Sequence, residues 1–312
     1  MALLTWALKI AEEHDLSEPL IRAINNLGVT LGELDLYEEA IDSFGRLLDV
    51  SRRLGMRQAE LTAVGSTLSL WVDVGRWDEA LEAGDRLLPE IEGAARDVSE
   101  LLKLVVIHAA RGEPDRGRPI VDAFASFADA DEPQLRAAFD TYEGLQLLAE
   151  GDAKAALVSA ERALEMVDAI GIPHDSSKWG FVLGLSAASA LGDEQRVRSL
   201  LERIEAIPPG LRSPMYRAQA MRFRAKLAGT GDPEALYKSA VGLFRELGTP
   251  FSLAIAVLEY AEFLASSGRP EGSGTLFVEA RGIFERLGAT PWLERLEATA
   301  GLGAAVEGVA SS

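Results

Sequence analysis

A cluster of cationic side chains carries the most specific chemistry in this sequence. Residues 206–231 contain no acidic residue, yet they include five cations, Arg212, Arg217, Arg222, Arg224 and Lys226. In a helix, Arg217 and Arg224 are seven positions apart and nearly eclipsed, whereas Arg222 and Lys226 share another side. A pair of guanidinium groups on one side of a helix can hold a carboxylate or a phosphate.

Two interpretations of this cluster remain open. Arg217 and Arg224 lie between two apolar stripes of the same helix, which predicts a packed or concave surface where they would bind an anion. The alternative is ion pairing with the flanking helices, for which the candidate carboxylates are those of Glu202, Glu205, Glu259 and Glu262. Five cations in a chain of net charge −18 are too few for a nucleic-acid interface.

Motifs that would indicate catalysis are absent from the sequence. There is no G-x-x-x-x-G-K-[ST] phosphate loop, no G-x-S-x-G elbow and no H-E-x-x-H pair. The chain has no cysteine, which excludes disulfides, thiol catalysis and Cys-ligated metals. Its histidines, His14, His108 and His174, are far apart in the sequence. We therefore expect neither an enzyme nor a bound cofactor or metal ion.

Composition limits the class of protein further. The 312 residues are 48% hydrophobic with a mean hydropathy of +0.07, which fits a folded, soluble chain. No apolar run is long enough to span a membrane, and Met1 to Leu16 lacks the basic start of a signal peptide. The acidic net charge would repel nucleic acid and anionic lipid. These features predict a cytoplasmic protein that binds neither membranes nor nucleic acid directly.

The elements that position these residues are predicted to be helices in antiparallel pairs. Apolar residues recur three and four positions apart on both sides of a short turn, which is often marked by glycine. Seven such pairs follow one another: Glu18 to Leu31 with Leu36 to Arg53, Met56 to Val74 with Trp77 to Glu92, Asp97 to Ala110 with Asp115 to Phe127, Pro133 to Ala149 with Ala153 to Ile170, Ser176 to Ala190 with Glu194 to Ile207, Ser213 to Ala228 with Pro233 to Leu247, and the pair within Thr249 to Gly288.

A period of about 39 residues relates the pairs when Ala40, Ala80, Gly117, Ala156, Val197, Leu236 and Ser273 are aligned. Such a period predicts an all-α, right-handed superhelical solenoid of about seven hairpins, because each pair buries its apolar face only by stacking on its neighbours. We expect one domain over residues 1–300, with an unpaired helix in 1–16, seven pairs in 17–288 and a capping helix in 289–300. Residues 301–312 are predicted to be a disordered tail.

The motif Leu27-Gly28, Tyr37, Glu39-Ala40, Phe44 and Leu47 resembles the tetratricopeptide (TPR) repeat. Trp77-Asp78-Glu79-Ala80 repeats the start of its second helix, and the resemblance covers nearly the whole chain. The period is longer than the usual ~34 residues of that family. The repeats are therefore similar to the longer variant of this repeat that is found in bacterial regulators.

The sequence of the C-terminal repeats carries a more specific resemblance. Phe244 to Phe251, Leu258 to Ala261 and Glu279 to Ala289 with Pro291-Trp292 resemble the C-terminal repeats of large bacterial signalling proteins. Those proteins place an ATPase module, often with a nucleotidyl cyclase or LuxR-type DNA-binding domain, ahead of the array. The resemblance implies a sensing or coupling arm that binds a protein or peptide partner, with such a domain in cis. It transfers no catalytic activity.

First helices line the concave groove in this resemblance, which makes Trp71 and Trp179 groove candidates. Either could also be a core residue. The leading hypothesis is a non-catalytic protein-interaction scaffold, with groove candidates Trp71, Trp179, Arg217, Arg222 and Arg224. The alternative is a receptor for an anionic small molecule bound in the groove near Arg217 and Arg224.

Overall fold

A computed structural model of the chain describes residues 2–227, 229, 231–269 and 272–299. Within these residues the chain forms helices and turns and no strand. The first helices are α1 (Ala2–Glu13), α2 (Ser17–Glu33), α3 (Tyr37–Leu54), α4 (Arg57–Asp73), α5 (Trp77–Leu87), α6 (Ile91–Ala94), α7 (Leu104–Arg111) and α8 (Pro114–Ala123). They are followed by α9 (Pro133–Ala149), α10 (Ala153–Glu165), α11 (Val167–Ile170), α12 (Asp175–Ala190), α13 (Glu194–Ala206), α14 (Pro214–Ala225), α15 (Pro233–Leu247), α16 (Pro250–Ser266) and α17 (Gly274–Leu287).

The described residues form seven antiparallel helix pairs, which confirms the predicted right-handed superhelical solenoid. We number them repeats 1 to 7: α2/α3, α4/α5, α7/α8, α9/α10, α12/α13, α14/α15 and α16/α17. A further helix at residues 290–299, the C-terminal helix, covers repeat 7. The predicted tail at 301–312 lies outside the described residues.

Small and aromatic residues set the packing within each pair. Ala40 and Phe44 of α3 are buried, and Phe44 lies directly against Gly28 of α2. The same pattern recurs in α15 with Ala240 and in α17 with Ala280, both fully buried. In the last two repeats, Ala240 and Ala280 therefore hold the buried position that the predicted alignment gave to Leu236 and Ser273.

Repeat 3 departs from the predicted pattern. The helix expected from Asp97 begins only at Leu104, after 3-10 helical segments at Leu88–Glu90 and Ala95–Lys103. Pro89 lacks the N–H that would continue α5, and Val98 leaves helical geometry with φ −125° and ψ 21°. The partner helix α8 ends at Ala123, before a third 3-10 segment at Ala125–Asp129. Repeat 3 therefore contains shorter α-helices, joined to 3-10 segments.

The superhelix closes on itself, because the turns within early repeats lie against repeats four or five places later. The first turn places Asp35 against Lys178 of α12 and the backbone of Met215 in α14. The second places Gly75 against Pro250 at the start of α16. The third turn follows Arg111, whose Nε donates to the carbonyl of Leu287 at 3.0 Å. Each of these three turns between paired helices therefore contacts a later repeat.

Helix α1 packs on α2 through Leu8 and Ala11, while Leu3 and Trp6 on its other side are exposed. No helix in the described ranges is both long enough and apolar enough to cross a membrane. The apolar core of the described residues lies between repeats and at the closed turns.

Candidate functional site

First helices supply most of the lining of two cavities among the described residues. One cavity, of about 480 Å³, lies between α7, α9, α12, α14, α16 and the C-terminal helix. We call it the apolar cavity. Its apolar wall includes Val106, Leu145, Trp179, Val182, Phe251 and Ile255. A volume of this size is in the range of pockets that bury small ligands.

Charged side chains gather at one end of the apolar cavity. Arg222 is buried and grips Glu259 with both arms of its guanidinium, through Nε at 2.7 Å and Nη2 at 2.9 Å. Its Nη1 donates to Gln219 at 3.0 Å. Lys226, one turn further along the chain, contacts Oε1 of the same Glu259. This arrangement confirms that Arg222 and Lys226 share one side of the helix.

Arg295 of the C-terminal helix adds a third cation to this end. Its guanidinium donates to both carboxylate oxygens of Glu262, at 2.8 and 2.6 Å, and lies 5.5 Å from the ring of Trp292. Burial alone would raise the pKa of Glu259, but the charges of Arg222 and Lys226 outweigh it and lower that pKa to about 2. Glu259 is therefore ionised at neutral pH.

A second cavity, of about 490 Å³, lies between α2, α4, the 3-10 segment before α7, α9 and the start of α12. We call it the polar cavity. Four carboxylates and two cations line it: Glu33, Asp73, Glu100, Asp175, Arg96 and Lys103. Lys103 Nζ lies 5.6 Å from the ring of Trp179, which lines the apolar cavity, so the two cavities meet at this contact.

Lys103 is the centre of a buried network in the polar cavity. Only 1% exposed, it donates to Asp73 at 2.7 Å and to Asp175 at 2.9 Å, and the Tyr142 hydroxyl donates to Asp175 at 2.8 Å. Burial raises the pKa of Asp73 to about 6, with Lys103 opposing the rise. Burial also raises the pKa of Glu100 to about 7. Burial therefore favours the protonated form of both carboxyl groups.

A second buried ammonium group closes the solenoid beside this network. Lys178 donates to the carbonyls of Gly32 at 3.2 Å and Glu33 at 2.9 Å, and it contacts Asp35 Oδ1. The other oxygen of Asp35 accepts the N–H of Met215 at 2.7 Å. Asp35 has a left-handed φ of +62°, which glycine adopts most readily. Its carboxylate therefore has a role that a glycine there would lack.

The predicted groove residues divide between the cavity and other surfaces. Trp179 and Arg222 line the apolar cavity. Arg217 and Arg224 line a shallow depression between α13, α14 and α15 instead, where Arg217 is exposed and Arg224 pairs with Glu205. Trp71 is half-buried outside both cavities, with the Arg76 guanidinium 4.8 Å from its ring.

Helix phase explains this division. On α14 and its C-terminal end, the positions that line the apolar cavity are Gln219, Arg222, Phe223 and Lys226, spaced as one helical face. Arg217 and Arg224 occupy a different face. On α4, the cavity positions are Ser66, Ser69, Leu70 and Asp73, and Trp71 lies about 100° away from Leu70. The predicted pairing of the cations with Glu205 and Glu259 is confirmed.

The histidines lie in three separate environments. His174 accepts the N–H of Ser176 at 3.2 Å and so caps α12, while His108 Nδ1 lies 3.2 Å from Glu113. Burial lowers the pKa of both of these histidines. The described residues contain no group of three or more potential metal-binding side chains.

No protein-family model matches this chain, and no curated protein matches it. Among solved structures, it is similar to the apo form of the quorum sensor NprR from B. thuringiensis, with a TM-score of 0.54 over 90% of this chain and 80% of that chain. This chain has the TPR-like helical repeat fold. Sequence identity is 14%, so the likeness shows the fold alone.

Proposed function

We propose that this chain is a non-catalytic binding scaffold whose apolar cavity holds a peptide or a segment of a partner protein. The observation that supports the proposal is the number of helices that form the cavity wall. Five first helices, from repeats 3 to 7, and the C-terminal helix each contribute side chains to it. A ligand in contact with all of them would favour one relative arrangement of the repeats, and that preference is the physical basis of a sensor.

The chemistry of the wall suits a peptide. Apolar side chains cover most of it, and the hydroxyls of Ser186, Ser189 and Ser252 with the amide of Gln219 offer hydrogen bonds. Of the groove residues predicted from sequence, the proposal retains Trp179 and Arg222. The chain carries a net charge of −18, so a nucleic acid is a poor candidate for this site.

We further propose that the scaffold is the sensor or coupling arm of a bacterial signalling or transcriptional regulator. The support is the resemblance of its C-terminal repeats to such proteins and the shared fold with a quorum sensor. In that arrangement the protein is cytoplasmic. An ATPase, cyclase or DNA-binding domain, in cis or in trans, would respond when a ligand occupies the cavity.

A cavity-filling variant tests the proposal. Peptides selected from a display library on the wild-type chain should lose binding to Ser186→Trp, which projects an indole from α12 into the cavity. Val278→Trp, at a position of α17 that is 72% exposed, is the matched control and should keep it. Calorimetry on both variants gives the comparison. Peptides that bind Ser186→Trp as tightly as wild type, or a selection that yields none, would argue against the proposed site.

A further inference from the structure

Among the residues that the structure describes, the charged end of the apolar cavity contains three cations and two carboxylates. Arg222 holds Glu259 with two hydrogen bonds, and Arg295 holds Glu262 with two. Each guanidinium is thus matched to one carboxylate in the geometry that such pairs prefer. Lys226 remains as the surplus positive charge, in contact with an oxygen of Glu259 that already accepts from Arg222.

Lys226 is also placed to meet a ligand. It lines the apolar cavity, and its side chain is 30% exposed, whereas those of Arg222 and Glu259 are 7% and 2% exposed. Burial lowers the pKa of its ammonium group, and the charges of Arg222 and Arg295 act in the same direction against the attraction of Glu259. A second negative group would therefore be favourable here, in a chain that is otherwise strongly acidic.

Apolar side chains form most of the rest of the cavity wall and suit the apolar part of such a ligand. Phe223, Phe251 and Trp292 lie near the cationic end, and Leu145, Val182 and Ile255 continue the apolar wall. A molecule bound along this wall would bury hydrocarbon over most of its length. It would reach a positive charge at one end.

We infer that the apolar cavity binds an apolar ligand that ends in a single carboxylate, with that carboxylate on Lys226 and the apolar part along α9, α12 and α16. This inference rests on the proposed function and specifies the ligand of the same site. Two sources share the chemistry: the free C-terminus of a hydrophobic peptide and a small apolar carboxylic acid. A peptide bound through an internal segment would leave Lys226 without this partner.

Matched acids and amides test the inference on the full chain. One library of N-acetylated tripeptides of Leu, Ile, Val, Phe and Trp is made as free acids and again as C-terminal amides, and decanoate is paired with decanamide. Native mass spectrometry reports which compounds are retained, and calorimetry gives their affinities. We expect acids to bind at least about tenfold more tightly than the matching amides, the size of a charge-assisted hydrogen bond.

Lys226→Met should remove the preference for acids and leave weaker apolar binding. Its urea midpoint should stay close to wild type, because Arg222 still holds Glu259 with two hydrogen bonds. Lys154→Met, at an exposed position of α10, is the control and should keep the preference.

The outcomes separate the two levels of the proposal. Retention of peptide acids or of decanoate, lost in Lys226→Met, supports the inference and identifies the source of the carboxylate. Equal binding of acids and amides overturns the inference but leaves the cavity as the binding site. Absence of binding by every compound overturns the inference, whereas the display selection on Ser186→Trp decides the proposed function independently.

Discussion

The first turn, between α2 and α3, and the second turn, between α4 and α5, close the superhelix through opposite kinds of contact. The first turn meets α12 and α14 through a buried charge, since Asp35 holds Lys178 and the N–H of Met215. The second turn meets α16 through apolar groups. There Gly75 abuts Pro250, and the rings of Trp77 and Phe251 meet edge to face at 5.2 Å.

Each closure has the character of the cavity beside it. The charged turn adjoins the polar cavity, where Lys103 satisfies two more carboxylates, and the apolar turn adjoins the apolar cavity through Phe251. In the polar cavity the ammonium groups hold the fold together. In the apolar cavity Arg222 already holds Glu259 with two hydrogen bonds, so we infer that Lys226 is available to a ligand. We infer from this difference that a charged side chain in a cavity indicates ligand binding only where another group already makes the contacts that stabilise the fold.

Removal of a structural charge should have the largest effect. Lys178→Met leaves Asp35, which is 5% exposed, without its cation, and two carbonyls lose their donor. Breaking a buried pair in this way typically costs about 3–5 kcal/mol. Urea unfolding measures the loss, and Arg86→Met, which breaks an exposed pair with Glu82, should cost less than about 1 kcal/mol.

A double variant shows whether the buried charge causes that loss. Asp35→Gly with Lys178→Met removes both charges, and glycine accepts the left-handed φ of that turn without strain. The double variant should be less destabilised than Lys178→Met alone, although Met215 loses its acceptor. If the two are equally destabilised, Asp35 is not the buried charge responsible.

The apolar closure is tested by one added methyl group. A Cβ at Gly75 would lie 2.4 Å from Pro250 Cγ, and the proline ring has little room to move. Gly192 is the matched control, because its φ of +69° resembles the +77° of Gly75 but no atom lies within 4 Å of its Cβ position. Both alanine variants share the cost of a left-handed φ.

Gly75→Ala should therefore lose about 1–3 kcal/mol more than Gly192→Ala, the usual cost of overpacking. Urea midpoints of the two variants measured side by side give this difference directly. Equal losses would mean that the contact between the second turn and α16 contributes little to stability.

The repeat architecture could be predicted because it depends on neighbours in the sequence. Apolar spacing of three and four residues places the helices, and a turn residue ends each one, so the seven pairs are visible without the structure. The ion pair between Arg222 and Glu259 was accessible for the same reason, since it joins adjacent repeats. Local propensity was insufficient between α5 and α7, where 3-10 segments that contain Pro89 and Val98 replace parts of two predicted helices.

Closure of the superhelix could not be predicted from the same pattern. Which turn meets which helix depends on small rotations that add up over five repeats, and the contact between Asp35 and Lys178 spans 143 residues. The sequence does contain one signal for it. Asp35 has a left-handed φ where the corresponding turns of other repeats use glycine, at Gly75, Gly112, Gly151, Gly192 and Gly268. An aspartate in that position suggests a carboxylate with a partner.

The inward face of α14 was the other unpredicted feature. Two apolar stripes flank its cations, so periodicity alone allowed either pair of cations to face the groove. The structure turns Arg222 inward and leaves Arg217 exposed. Packing against α12 and α16 decides between them, and that packing depends on the curvature of the whole array.

The smallest predicted effect is a pH dependence that only the polar cavity should show. The carboxyl of Glu100 has a pKa of about 7 in the folded chain, against about 4.3 when unfolded. Folding therefore favours the protonated form, and this group lowers stability as pH rises from about 4.5 to 7, with no further loss above that range. Glu100→Gln should be more stable than wild type by about 1–2 kcal/mol at pH 8, and by much less at pH 5.

Glu259→Gln is the matched variant in the apolar cavity. With a pKa of about 2, Glu259 contributes stability above its unfolded pKa and loses it only as pH falls toward 2. Its loss from Glu259→Gln should therefore be the same at pH 5 and pH 8. Urea unfolding at both pH values gives the two differences. A pH-independent effect of Glu100→Gln, or a pH-dependent effect of Glu259→Gln, would break the distinction between a titrating cavity and a permanently charged one.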